Sequence, residues 1–296
     1  MVSVEAQFPQ EPQLLSPEAT DEFVQSVNEQ IAQGTLDIDE PLLLKQLIEC
    51  LGDTRGMTRL SIVELLGELG TVATPYLQES LAHHENPTVR RSSAKTLAAI
   101  ADPTAVPALI QALLTDADAV VRGSSAGALA KMGETAVQQL LQILESPDYP
   151  GTIKGQAAWA LGFIGRDAQP YLTQALSSNS PEVRAAIVGA IESVARENPS
   201  EGMEDLLINA LSDPAEMVRC EAAAALGTLA YQPALPILVE LLEHIDWETR
   251  RAAALSIMKI GDPQAIAALE TARDRESEAA VETVLKLAIS QLKQRL

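Results

Sequence analysis

The sequence predicts an all-α solenoid of about eight stacked helix–turn–helix repeats, preceded by an N-terminal helical extension. Three observations carry this. A basic residue recurs at Arg59, Arg90, Arg122, Lys154, Arg184, Arg219 and Arg250, at steps of 31, 32, 32, 30, 35 and 31 residues. Around each anchor the same pattern returns, with small or apolar residues at −1, +3, +4, +7 and +10, as in PTVRRSSAKTLAAIAD (87–102), PEVRAAIVGAIESVA (181–195) and WETRRAAALSIMKIGD (247–262). Ahead of the anchored segments lies a second amphipathic pattern, for example TAVPALIQALLTD (104–116) and ETAVQQLLQILES (134–146). Apolar residues at three and four mark a helix. One helical pair cannot cover its own apolar face, so neighbouring pairs must cover it.

The N-terminal region reads differently. Ser16-Pro17-Glu18 is a helix start and Gly34 a stop, so one helix is expected over 17–33. Residues 1–40 hold nine carboxylates and no base. They form either a solvated cap or an acidic arm that covers or recruits a partner. The expected division is thus an acidic extension over 1–40 and a solenoid over 41–296. Between helices, Asn86-Pro87, Ser146-Pro147, Ser180-Pro181, Asp213-Pro214 and Asp262-Pro263 read as turns that start helices. The last repeat lacks an anchoring Arg, and its second helix (278–292) and tail carry Lys286, Lys293 and Arg295, as suits a polar C-terminal cap.

Composition narrows the function. The formal net charge is −20 over 296 residues, which argues against nucleic acid and against anionic membrane surfaces. No Lys or Arg precedes Lys45, so neither a secretory nor a transit peptide is expected. No apolar run approaches the ~20 residues of a membrane span. Cys50 and Cys220 lie outside any CxxC pattern. The expectation is a cytoplasmic protein with no metal site.

No nucleophile–base pair, phosphate loop or dinucleotide fingerprint is present, so no catalytic residue is assigned. The candidate site comes instead from the repeat register. In GQAAWALGFIG (155–165), Trp159 and Phe163 stand at +5 and +9 from Lys154, in a chain that is only 3% aromatic. Positions +1, +2, +5 and +9 elsewhere hold Arg91, Ser92, Lys95, Lys131, Glu221 and Lys259, which are solvent-facing choices. The aromatics therefore belong to the exposed face of their helix, which lines the concave side of such solenoids. The +5 residues of the flanking repeats are Gly127 and Gly189. This leaves an apolar ridge between shallow grooves, with Tyr149 in the preceding turn. Either the ridge anchors a partner, or Trp159 folds back over its small neighbours and serves packing. The anchor arginines are expected to pair with turn acids such as Asp102, Asp116, Asp118 or Asp213. His83-His84 is expected at a loop or helix end, and His244 at a helix end. Cys220, beside Arg219, is either a thiol of lowered pKa or a small residue tolerated among alanines.

The strings KGQAAWALGFIGRD and RCEAAAALGTLA carry most of a VRxxAAxALGxIGD pattern. That pattern resembles the short HEAT-like repeats of phycobiliprotein lyase subunits of the E/F type, over about 40–262. The resemblance implies a protein that attaches bilins to phycobiliproteins, detaches them, or binds proteins as a plain scaffold. The layout also resembles a HEAT-repeat protein that partners an A-type iron–sulfur carrier. The main expectation is a scaffold without cofactor that grips a partner through Trp159, Phe163, Gly127, Gly189, Tyr149, Arg91, Lys95 and Lys131. The implied partners are a phycobiliprotein, a lyase mate or an iron–sulfur carrier protein. The alternative is a bilin lyase or lyase subunit that binds phycocyanobilin and attaches it to a phycobiliprotein cysteine.

Overall fold

The computed structural model describes residues 11–38, 40–197 and 202–295, which hold helices and no strand. The chain gathers into two compact units, Met1–Gln139 and Leu140–Leu296. The first holds α1 (Pro17–Gln33), α2 (Pro41–Cys50), α3 (Gly56–Leu69), α4 (Thr74–His83), α5 (Pro87–Ile100), α6 (Val106–Thr115) and α7 (Ala119–Lys131). Helix α8 (Glu134–Glu145) crosses the division. The second unit continues with α9 (Gly151–Ile164), α10 (Gln169–Ala175), α11 (Pro181–Glu197), α12 (Met203–Ala210) and α13 (Glu216–Thr228). It ends with α14 (Leu235–Leu241), α15 (Trp247–Ile260), α16 (Ile266–Arg275) and α17 (Ala279–Lys293).

The expected pairs form. In the first unit α4 packs on α5 and α6 on α7, while the second helices stack as α3, α5, α7. In the second unit α10, α12, α14 and α16 each pack on the helix that follows, and α9, α11, α13, α15 and α17 form the stack. Helix α1 spans the expected residues. Ser16 Oγ accepts the Ala19 N–H, Pro17 takes the first turn, and Gly34 ends the helix at φ 66°. It packs on α3 through buried Thr20 and Val27. Arg55 ties it down, donating to Asp21 at 2.8 Å and to the Pro17 carbonyl at 2.9 Å. Residues 1–10 of the acidic extension lie outside the described residues.

The core positions −1, +3, +4 and +7 hold on α5 and α11, whereas +10 is buried at Met132, Val194 and Ile260 but only half-buried at Leu69, Ile100, Ile164 and Leu229. Val89, Ser93, Ala94 and Leu97 are buried on α5, and Val183, Ile187, Val188 and Ile191 on α11. Position +6 is buried as well, as Thr96, Ala128, Ala160, Ala190, Ala225 and Ser256 show. These residues are small because they face the neighbouring second helix at close range. Ser92 departs from the solvent-facing assignment of +2, being buried at 4% exposure, while Ser61 and Glu221 at the same position are exposed. Its hydroxyl donates to the Thr88 carbonyl at 2.7 Å, which makes burial tolerable. At +8, Gly162 and Gly227 permit the close approach: a Cβ would come within 2.8 Å of Ser193 Cβ and of Ser256 Oγ respectively.

The anchor arginines form a ladder with two arms. Backwards, each guanidinium donates to the carbonyl six residues earlier: Arg90 to His84 (2.9 Å), Arg122 to Asp116 (2.7 Å), Arg184 to Ser178 (2.8 Å), Arg219 to Asp213 (2.6 Å) and Arg250 to His244 (2.9 Å). A cation at the start of a helix opposes that helix's dipole, but here it serves the carbonyl-rich end of the segment before it. Forwards, Arg90 grips Asp116, Arg184 grips Asp213, Arg219 reaches Asp246 and Arg250 grips Glu276. Asp116 and Asp213 are among the expected partners. Asp102 and Asp118 are not: they accept the N–H groups of Thr104 and Val120, capping their own segments.

The residue six before the anchor also folds its side chain onto the turn. Asp213 accepts the Ala215 N–H, and His84 and His244 do the same with Nδ1, from Asn86 at 3.0 Å and Asp246 at 3.1 Å. The histidines therefore act as turn acceptors. Ser146-Pro147 does not start a helix: Ser146 Oγ accepts the Asp148 N–H, and α9 waits for Pro150 as its N-cap.

Candidate functional site

Trp159 and Phe163 lie on the exposed side of α9, with 46% and 44% of their surface open. Their ring centroids are 4.4 Å apart at an interplanar angle of 37°. The spacing of four residues puts them on adjacent turns of one face. Trp159 borders an open groove of about 690 Å³ that runs over the second helices α9, α11 and α13. Phe163 backs it from the next turn and is not part of the groove lining. Tyr149 comes from the turn before α9 and lines the groove.

The floor is low because α11 presents Ala185, Ala186 and Gly189 there. A Cβ on Gly189 would lie 3.4 Å from Glu221 Oε1, so the carboxylate of α13 leans over this glycine. Burial, together with the like charge of Glu192, pushes the Glu221 carboxyl up from its ordinary value. Met217, 44% exposed, closes the far side.

Lys154 enters the groove because the arginine ladder is interrupted here. It stands where other repeats have Arg, and the next turn offers Ser178 where α13 is preceded by Asp213. No hydrogen bond or ion pair holds Lys154 among the described residues, and it lines the groove near Glu182. The Ser180 hydroxyl, donating at 2.7 Å, lowers the Glu182 carboxyl, and the charge of Lys154 adds to this.

The remaining expected residues lie elsewhere. Arg91 and Lys95 are on α5, half-buried and exposed. Gly127 is half-buried on α7 and Lys131 is exposed at its end. All four belong to the first unit, outside the groove lining. Sequence reasoning missed Lys154, Glu182, Glu192, Met217 and Glu221 as neighbours of Trp159, although it placed Glu221 correctly on the solvent-facing side. A diagonal through the repeats could have found them, since they stand at 0, −2, +8, −2 and +2 from successive anchors. Of the two readings of Cys220 the lowered thiol is not the one found: burial pushes its thiol up, Glu216 adds to this, and the opposing effect of Arg219 is smaller. Among the described residues no group of His, Cys, Asp and Glu is placed to hold a metal ion.

The profile for HEAT repeats matches residues 41–130, 75–154, 137–201 and 204–290. The bilin biosynthesis protein MpeU of Synechococcus sp. (strain WH8020) is 36% identical over 279 residues, 94% of each chain. The chain belongs to the bilin-lyase-like family of HEAT-repeat proteins. Among solved structures, this family member resembles the karyopherin Kap121p bound to the extreme C-terminus of the phosphatase Cdc14p. The TM-score is 0.57 at 14% identity, over 94% of this chain and 38% of that one, a likeness of fold alone. The CpcE–CpcF complex of the Nostoc sp. PCC7120 phycocyanin lyase matches at 19% identity and TM-score 0.35, over 84% of this chain and 94% of that one, too low a score to carry an argument. No helix among the described residues is long and apolar enough to cross a membrane.

Proposed function

We propose that this bilin-lyase-like protein is a protein-binding scaffold. It grips a partner protein on the exposed face of α9, α11 and α13, in the service of bilin attachment. One observation carries the reading: two aromatic rings, each nearly half exposed, stand together beside an open groove. Exposed aromatics that can become fully desolvated are what interface hot spots are made of. A phycobiliprotein or a lyase mate is the partner that fits the family. The iron–sulfur carrier has no support from the relatives described. The test is affinity capture of phycobiliproteins from a native extract by the tagged protein, beside Trp159→Ala/Phe163→Ala. Wild type should retain the partner and the double variant should lose it. A folded variant that keeps the partner overturns the reading.

The second reading is that the chain binds phycocyanobilin as substrate, and the similarity to MpeU favours it. The groove suits the bilin in part. Trp159 and Tyr149 offer faces to the tetrapyrrole rings, while the two propionates find only Lys154 among the carboxylates of Glu182, Glu192 and Glu221. Added phycocyanobilin should then change its visible absorption on mixing with the protein, and an unchanged spectrum removes this reading.

A further inference from the structure

We propose that the occupant of the groove over α9, α11 and α13 is a basic segment of the partner protein. One of its Arg or Lys side chains lies along Trp159, with its charge set between Glu192 and Glu221. The inference rests on the protein-binding reading and specifies the chemistry of what is bound.

The groove combines an apolar wall with excess negative charge. Its lining holds Glu182, Glu192 and Glu221 against a single base, Lys154. These carboxylates are not equivalent. Glu182 is held by the Ser180 hydroxyl and lies near Lys154. Glu192 is paired only with Arg196, at 3.1 Å along its own helix, and that arginine is half exposed. Glu221 is exposed and has no hydrogen bond or ion pair among the described residues, and its carboxylate lies over Gly189, where a Cβ would come within 3.4 Å of Oε1. Two carboxylates lining one groove repel each other until a cation joins them. An incoming guanidinium or ammonium supplies that cation and forms charge-assisted hydrogen bonds.

The apolar part of the groove suits the rest of such a side chain. Arg and Lys carry aliphatic stems that cover apolar surface while the head stays polar. Trp159 and Met217, both open, provide that surface, and the indole face attracts the cation. The floor of Ala185, Ala186 and Gly189 lets an extended backbone approach closely. An acidic segment would add charge beside Glu221, and a neutral one would leave it unpaired.

The test uses Trp247→Phe as background, so that Trp159 is the only indole left in the chain. Three synthetic peptides alternate Ala with Arg, with citrulline or with Glu. The Arg peptide should change Trp159 fluorescence and bind at least about tenfold more tightly than the citrulline peptide, which keeps the shape without the charge. The Glu peptide should give no response. Glu192→Gln/Glu221→Gln should weaken the Arg peptide by about tenfold or more. Glu64→Gln/Glu68→Gln, exposed on α3, should leave it within about twofold, since exposed charges contribute little. The proposal is overturned if citrulline matches Arg, if no peptide responds, or if the α3 pair loses as much as the groove pair. Partner capture separates the two levels. If Glu192→Gln/Glu221→Gln keeps the partner that Trp159→Ala/Phe163→Ala loses, the basic occupant falls and the scaffold stands. If the aromatic variant also keeps it, the scaffold reading falls.

Discussion

Arg184 donates two hydrogen bonds to the carboxylate of Asp213, both at 2.7 Å, across 29 residues of chain. The same aspartate offers its backbone carbonyl to Arg219 at 2.6 Å and its Oδ1 to the Ala215 N–H. One residue thus joins two successive second helices, α11 and α13. The Arg184 and Asp213 side chains are only 11% and 12% exposed, so the pair is held largely out of water. Arg184→Met removes the ion-pair partner of Asp213, leaving it the Ala215 N–H and the nearby Arg219, and should lower unfolding stability by about 3 kcal/mol. Asp213→Asn keeps the turn acceptor and should cost less. Urea denaturation of the three proteins checks the order.

Acid should loosen the C-terminal repeats first through Glu276. Its bidentate bond to Arg250 holds the carboxyl down to about 2, from an ordinary 4.5. A carboxyl whose folded pKa is depressed contributes stability above its unfolded value and loses it as pH falls through the folded one. Stability should therefore decline between about pH 4.5 and 2. In Glu276→Gln this part of the decline should be absent. Thermal melts across that window measure it.

Glu221 has the opposite sign. Burial and Glu192 raise its carboxyl, so charging it opposes folding at neutral pH, and the penalty fades as acid protonates it. Glu221→Gln should raise the melting temperature at pH 7 and match wild type well below pH 4. A lower midpoint at pH 7 would show that the carboxylate has a stabilising partner.

Two glycines of one helix should respond oppositely to alanine. Gly155 has open space where a Cβ would go, so Gly155→Ala should stabilise by about 0.5–1 kcal/mol. Gly162→Ala drives a methyl to 2.8 Å from Ser193 Cβ and should destabilise by about 1–3 kcal/mol. Equilibrium unfolding of both variants reads the difference.

Trp159→Ala/Phe163→Ala should cost little stability although it removes the two rings. Both are open to water, and the ring pair itself is worth about 1 kcal/mol. A loss several times larger would return the pair to the role of packing residues.

Much of this was legible in the chain, and the reason is local. The spacing of the anchors, the eight helical pairs and the span of α1 follow from patterns within some thirty residues. Exposure of Trp159 at +5 and Phe163 at +9 follows from helix periodicity alone. Burial at +6 was not legible, because it depends on how near the next helix comes. Nor was the direction of the Cys220 shift, where burial outweighs the adjacent Arg219.

The sequence by itself determined the repeat, its polarity and the outward face of each second helix, since a 3.6-residue period is written residue by residue. Only the tertiary structure decided which outward residues share a surface. Lys154, Trp159, Gly189 and Glu221 meet because three helices stack with a particular offset. That offset is set by small side chains between helices and by arginines that reach one repeat ahead, and no single repeat encodes it.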